Sequence, residues 1–127
     1  MGLDMCLDGV IYLSPLVKPN LKKRKIIMTL EITWRNAYHI HNWFVENIQN
    51  GYDDGNRYDV TFNQLNTLRN YCREILNDNS KASELLPTDS IYGYDDFYFE
   101  TIEKTYRELS RLIDEPNKYE WFSYYSN

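Results

Sequence analysis

The chain has 127 residues and a formal net charge of −5, with twelve Tyr, five Phe and three Trp. That length suits one domain with a real core, and net acidity argues against general nucleic-acid affinity, which depends on neutralising phosphates. The two cysteines, Cys6 and Cys72, lack metal-ligand spacing, and no apolar run is long enough to span a bilayer.

Residues 7–13, LDGVIYL, are strand-like. Pro15, Pro19 and the basic run 22–25 then read as a solvated loop. Residues 26–33 alternate, with Ile26, Met28, Leu30 and Ile32 on one face and Ile27, Thr29, Glu31 and Thr33 on the other. Period two of this kind predicts a half-buried strand, antiparallel to 7–13. Charge is uneven along the chain: residues 1–33 hold five basic and three acidic side chains, whereas the rest hold nine and sixteen.

A helix is expected over 36–50. Ala37, Ile40, His41, Phe44, Val45 and Ile48 recur at spacings of three and four, which makes one apolar stripe. Gly51 supplies the left-handed turn that ends it. The loop 51–58 turns at Asp54-Gly55, and 58–60 is a short extended piece. Thr61 and Gln64 form a capping-box pattern for a second helix over 62–77, with Phe62, Leu65, Leu68, Cys72, Ile75 and Leu76 as its stripe. Residues 80–86 have room for one or two helical turns before Pro87. A third helix is expected over 95–113, because Asp95, Asp96 and Glu100 complement the positive end of its dipole. Its stripe is Tyr98, Ile102, Thr105, Tyr106, Leu109, Leu112 and Ile113, and Pro116 stops it. Residues 118–126 alternate again and read as a closing strand. The predicted fold is α+β, with three helices packed on a small antiparallel sheet in a single domain spanning 1–127.

Several of these segments resemble a family of small phage-encoded proteins of unknown function. The resemblance lies in the opening Met-Gly-Leu-Asp-Met, in Trp34-Arg35, and in Ile40-His41-Asn42-Trp43-Phe44-Val45. It continues through Asn50-Gly51-Tyr52-Asp53-Asp54 and Leu85-Leu86-Pro87-Thr88. Two positions depart from the family pattern. Gly55 stands where relatives place Cys, and 91–94 replaces a glycine-flanked phenylalanine run. No role that depends on either feature is carried over.

Two candidate sites follow from the residues. Asp89, Tyr92, Tyr94, Asp95, Asp96, Tyr98 and Glu100 interleave carboxylates with tyrosines. Their ordinary role is a helix start. Their sharper role is a surface that imitates phosphate charge and base-like rings, and so meets a basic protein. Asp4, Arg35, His41 and Asp53 could instead surround a small anionic or hydroxylated ligand. The ordinary role of His41 is a core-edge side chain hydrogen-bonded to backbone, and that of Asp53-Asp54 is turn chemistry. His39 and His41 are two apart, so a regular helix points them about 200° away from each other and they cannot hold one metal.

No nucleophile–base motif or phosphate-cradling glycine loop is present, which argues against catalysis. The expected function is a non-enzymatic phage or mobile-element protein that binds and inhibits a host factor, of anti-defence or anti-CRISPR type. The partner expected is a host protein of the nucleic-acid-handling defence class, with a second copy of the chain left open. Neither membrane nor direct nucleic-acid binding is expected, and no cofactor or metal. The expected location is the cytoplasm of an infected bacterium. The alternative is a protein that sequesters a nucleotide signal in a pocket near Arg35 and His41, and a small hydrolase is the third reading.

Overall fold

The computed structural model describes residues 2–13, 25–115 and 118–127. Four antiparallel strands form one sheet in the order β2-β1-β4-β3: β1 Asp4–Leu13, β2 Lys25–Arg35, β3 Tyr58–Val60 and β4 Trp121–Ser126. Against it lie α1 Tyr38–Asn47, α2 Phe62–Asn77, the single-turn α3 Ala82–Leu85 and α4 Asp96–Ile113. A 3-10 turn, Asn79–Lys81, leads into α3. The fold is thus α+β as expected, with a fourth, very short helix. The loop expected at Pro15, Pro19 and 22–24, and the stop at Pro116, lie outside the described residues. Lys25 is described, and it opens β2 rather than ending a loop.

Met5 and Leu7 of β1, Ile32 and Trp34 of β2, Val60 of β3, and Phe122 and Tyr124 of β4 are buried in one core with the apolar stripes of the helices. Phe44 of α1 lies parallel to Tyr124, with ring centroids 3.8 Å apart. Thr61 caps α2 by both arms of the predicted box: its hydroxyl accepts from the Gln64 amide at 3.2 Å, and the Gln64 side chain accepts from the Thr61 amide at 2.9 Å. Asp95 caps α4 by accepting the Tyr98 amide at 2.9 Å. The α4 stripe is buried at Tyr98, Ile102, Thr105, Leu109 and Leu112, whereas Tyr106 and Ile113 are half-buried. Thr105 is buried polar, and its hydroxyl accepts from the Trp34 indole at 2.9 Å while donating to the Thr101 carbonyl at 2.7 Å.

Strand β2 departs from its expected faces. Leu7 pairs with Ile32 but Asp8 pairs with Leu30, so Glu31 has no partner and forms a bulge. One extra residue reverses which face every earlier side chain meets. Ile32 therefore enters the core, while Ile26, Met28 and Leu30 are exposed on the outer face of the sheet. The bulged Glu31 accepts from the Tyr119 hydroxyl and from Arg111. The Tyr119 ring lies over Gly9, where an added Cβ would sit 2.5 Å from the ring carbons. Only glycine fits there without displacing the ring.

Helix α1 is shorter than expected. Asn36 adopts a left-handed conformation, φ 57°, and its side chain accepts from the Leu3 amide at 2.9 Å, tying the start of the chain to the helix entry. At the other end Asn50 and Gly51 both have positive φ, and the Gly51 amide donates to the Val45 carbonyl at 2.8 Å. The helical residues between these turns are 38–47 rather than 36–50.

Candidate functional site

The two histidines of α1 are both buried, on different sides of the helix. His41 faces the sheet. Its Nδ1 is 2.7 Å from the Tyr124 hydroxyl and its Nε2 is 2.9 Å from Asp53 Oδ1. A carboxylate can only accept, so Nε2 donates, and in the neutral ring Nδ1 accepts the Tyr124 proton. Burial raises the Tyr124 hydroxyl pKa well above its ordinary value, consistent with a hydroxyl that remains a donor. His41 is thus bonded to two side chains, not to backbone, and both ring nitrogens are satisfied. Asp54 serves the adjoining turn, accepting from the Asn56 amide at 3.0 Å and from the Tyr58 hydroxyl at 2.6 Å.

Asp4 and Arg35 form a separate pair, 3.4 Å apart and solvent-exposed, at cross-strand positions of β1 and β2. The four residues proposed as a ligand pocket therefore appear as two pairs, and none of them lines either of the two cavities described next.

The larger cavity, about 580 Å³, opens between the entry of α1 and the start of α4. Its wall takes Asn36, Tyr38 and His39 from the first, and Asp95, Phe97 and Tyr98 from the second. Thr88, Ser90, Tyr92 and Gly93 of the intervening loop complete it. A smaller cavity of about 440 Å³ is lined by His39, Trp43, Glu46 and the 85–87 segment, among others. His39 belongs to both.

His39 is 4% exposed, and its ring lies against that of Tyr98 with centroids 4.3 Å apart. Its Nε2 is buried and has no hydrogen-bond partner among the described residues. Desolvation lowers its pKa to about 4, against smaller opposing effects from the Tyr98 backbone and the Asp95 carboxylate. The ring is therefore neutral at pH 7. A buried polar atom left unpaired costs on the order of 1–3 kcal/mol, so such atoms need an explanation.

Tyr98 forms the floor of this cavity. It is 2% exposed, and its hydroxyl donates to the Leu86 carbonyl at 2.7 Å. That corrects the expectation that Tyr98 belongs to the exposed acidic surface. The other six residues of that set are exposed: Asp89, Tyr92, Tyr94, Asp95, Asp96 and Glu100. Ile91 and Phe97, which the sequence reading passed over, extend the same surface, and Ile91 is 91% exposed. Among the described residues that line the larger cavity, Asp95 alone carries charge at pH 7.

A second cluster missed from the sequence lies on the outer face of the sheet. Arg57 reaches across from the loop before β3 and donates to the buried Asp8 carboxylate at 2.9 Å. Its guanidinium also stands 3.9 Å from the centroid of the Tyr125 ring. The hydrogen bond to Asp8 is the main reason the Arg57 pKa is raised. Asp8 and Arg57 are 49 positions apart, so no local pattern links them.

Among the described residues no helix is long and apolar enough to cross a membrane. Compared with known proteins, the chain matches no family model, no curated protein and no solved structure.

Proposed function

We propose that this chain is a non-enzymatic accessory protein of a phage or mobile element that binds a basic host protein and occupies its functional surface. The surface concerned is the loop 88–94 with the first turn of α4. The host factor favoured is a nucleic-acid-handling defence enzyme in the bacterial cytoplasm, which fits an anti-defence or anti-CRISPR role. One observation carries the reading: Ile91, Tyr92, Tyr94 and Phe97 are exposed together with Asp89, Asp95, Asp96 and Glu100, beside a cavity with no cation among the described residues of its lining. Large exposed apolar and aromatic side chains mark contact surfaces, and aromatic anchors carry much of an interface's energy. The surrounding carboxylates select for positive charge and steer its approach. A nucleotide-binding pocket at Arg35 and His41 has less support, since Arg35 already pairs with Asp4 and His41 with Tyr124 and Asp53.

The test is capture from bacterial lysate with the tagged protein beside the variant Asp95→Asn, Asp96→Asn, Glu100→Gln. The wild type should retain a basic protein, and the variant should lose it through slower association. Raising salt should mimic the variant, because exposed charges are screened beyond about 8 Å at physiological ionic strength. Equal capture by both proteins, insensitive to salt, would sink the reading.

A further inference from the structure

We infer that the larger cavity is a receptor for a single guanidinium group, the side chain of an arginine. The inference rests on the acidic-aromatic surface proposed above and names what its deepest part recognises.

The first argument is charge. Asp95 is the one ionised residue among the described residues of the lining, and one of its oxygens already accepts the Tyr98 amide. Its remaining acceptor capacity is open to a ligand. No Lys or Arg is among the described residues that line the cavity, so a phosphate would meet the Asp95 carboxylate there without a counter-charge from them.

The second argument is shape and surface. Tyr38, Tyr92 and Phe97 are 47%, 74% and 47% exposed at the rim, and Tyr98 lies buried at the floor. Aromatic faces attract cations through the ring quadrupole, and arginine is favoured because its planar group also stacks on rings.

The third argument is the His39 wall. His39 is buried and neutral at pH 7, so it sets no positive charge against a cation. A guanidinium presents N–H donors along the edges of a rigid plane, so it can donate to the Asp95 carboxylate while its face stacks on the rim rings. An ammonium supplies donors from one point and no plane to stack. Arginine is thus the cationic side chain that uses both the carboxylate and the rim.

The experiment is an NMR titration of the full isotope-labelled chain at pH 7 with acetyl-arginine amide. Acetyl-lysine amide and adenosine monophosphate are titrated in parallel. Saturable shifts of the Phe97 and Tyr98 rings, and of the His39 ring packed against Tyr98, are expected with the arginine probe. The lysine probe should bind at least about threefold more weakly, and Phe97→Ala should weaken the arginine probe about threefold to tenfold, the range a single cation–ring contact supports. Asp95→Asn, which retains a capping side chain, should weaken it by a similar factor. The inference is overturned by no saturable shift with arginine, by lysine binding equally tightly, or by adenosine monophosphate binding in its place. Because no host protein is present, the outcome is independent of the capture experiment. Capture that is lost in the acidic-surface variant, alongside a silent titration, leaves the partner reading standing and removes this inference alone.

Discussion

The corner around His41 and the cavity around His39 are built on the same helix, two residues apart, and they differ in how their polar groups are satisfied. At His41 each ring nitrogen has a side-chain partner, and the ring beneath it, Tyr124, lies flat on Phe44. At His39 one nitrogen is buried without a partner among the described residues, in a side chain that lines a cavity of about 580 Å³. A closed polar group of the first kind stabilises the fold. An unsatisfied one of the second kind costs stability.

The largest expected effect lies on the closed side. His41→Ala removes the partners of the Tyr124 hydroxyl and of Asp53 and leaves a void beside stacked rings. It should cost about 2–4 kcal/mol in chemical denaturation, combining the unpaired hydroxyl with the lost packing. A cost near zero would mean that the His41 corner is not the anchor it appears from its geometry.

The His39 side should respond in the opposite sense. His39→Phe retains a ring against Tyr98 and deletes the unpaired nitrogen, so at pH 7 it should be at least as stable as the wild type. Its distinct signature is in the acid range. The unfolded imidazole titrates near 6.5, whereas desolvation holds the folded one at about 4. Between those values the unfolded chain binds more protons, so wild-type stability falls as pH drops from about 6.5 to about 4, by up to roughly 3 kcal/mol. The phenylalanine variant should lack that loss. Glu31 does not confuse the comparison. Its burial opposes ionisation, but Tyr119, Arg111 and Lys118 outweigh this and hold its pKa below the ordinary value. It therefore adds a loss at lower pH in both proteins. Parallel stability curves for the two proteins between pH 6.5 and 4 would contradict the assignment.

The contrast between the two histidines also shows what was legible in the sequence. Caps and stripes were, because each depends on residues three or four apart: Thr61 with Gln64, Asp95 ahead of Tyr98, and the spacing from Tyr98 to Leu112. His41 was placed on the edge of the apolar stripe, and it is there. His39 lies off that stripe, and the spacing within α1 says only that it points elsewhere. It is buried because α1 has a second packing neighbour, α4 with the 85–87 segment, which no periodicity within α1 reports. Its spacing to Trp43, one turn on and also buried with an unpaired indole nitrogen, was the available signal of a second buried face. The bulge at Glu31 was hidden for a related reason. Residues 26–32 alternate without interruption, so only the partner strand determines where the register slips. Arg57 over Asp8 is likewise a tertiary pairing with no local trace.

The smallest expected effect is the one that separates an open site from a structural wall. Tyr92 and Phe97 contribute rim surface, and they are 74% and 47% exposed. If they serve mainly to hold loop 88–94 in place, removing them should cost stability in proportion to the apolar area they cover. If the cavity is a receptor, they cover little in the free protein and their contribution appears only on binding. Tyr92→Ala should then leave unfolding within about 0.5 kcal/mol of wild type, the usual range for surface substitutions. Phe97→Ala should cost somewhat more, about 1 kcal/mol, because about half of the residue is already covered. Set beside the several-kcal/mol loss expected for His41→Ala, that near-silence is the informative result: two neighbouring aromatic-and-histidine clusters, one needed for folding and one nearly dispensable to it. A large loss of stability in Tyr92→Ala would place loop 88–94 on the structural side of the comparison and leave the cavity without the exposed aromatic rim that a cation needs.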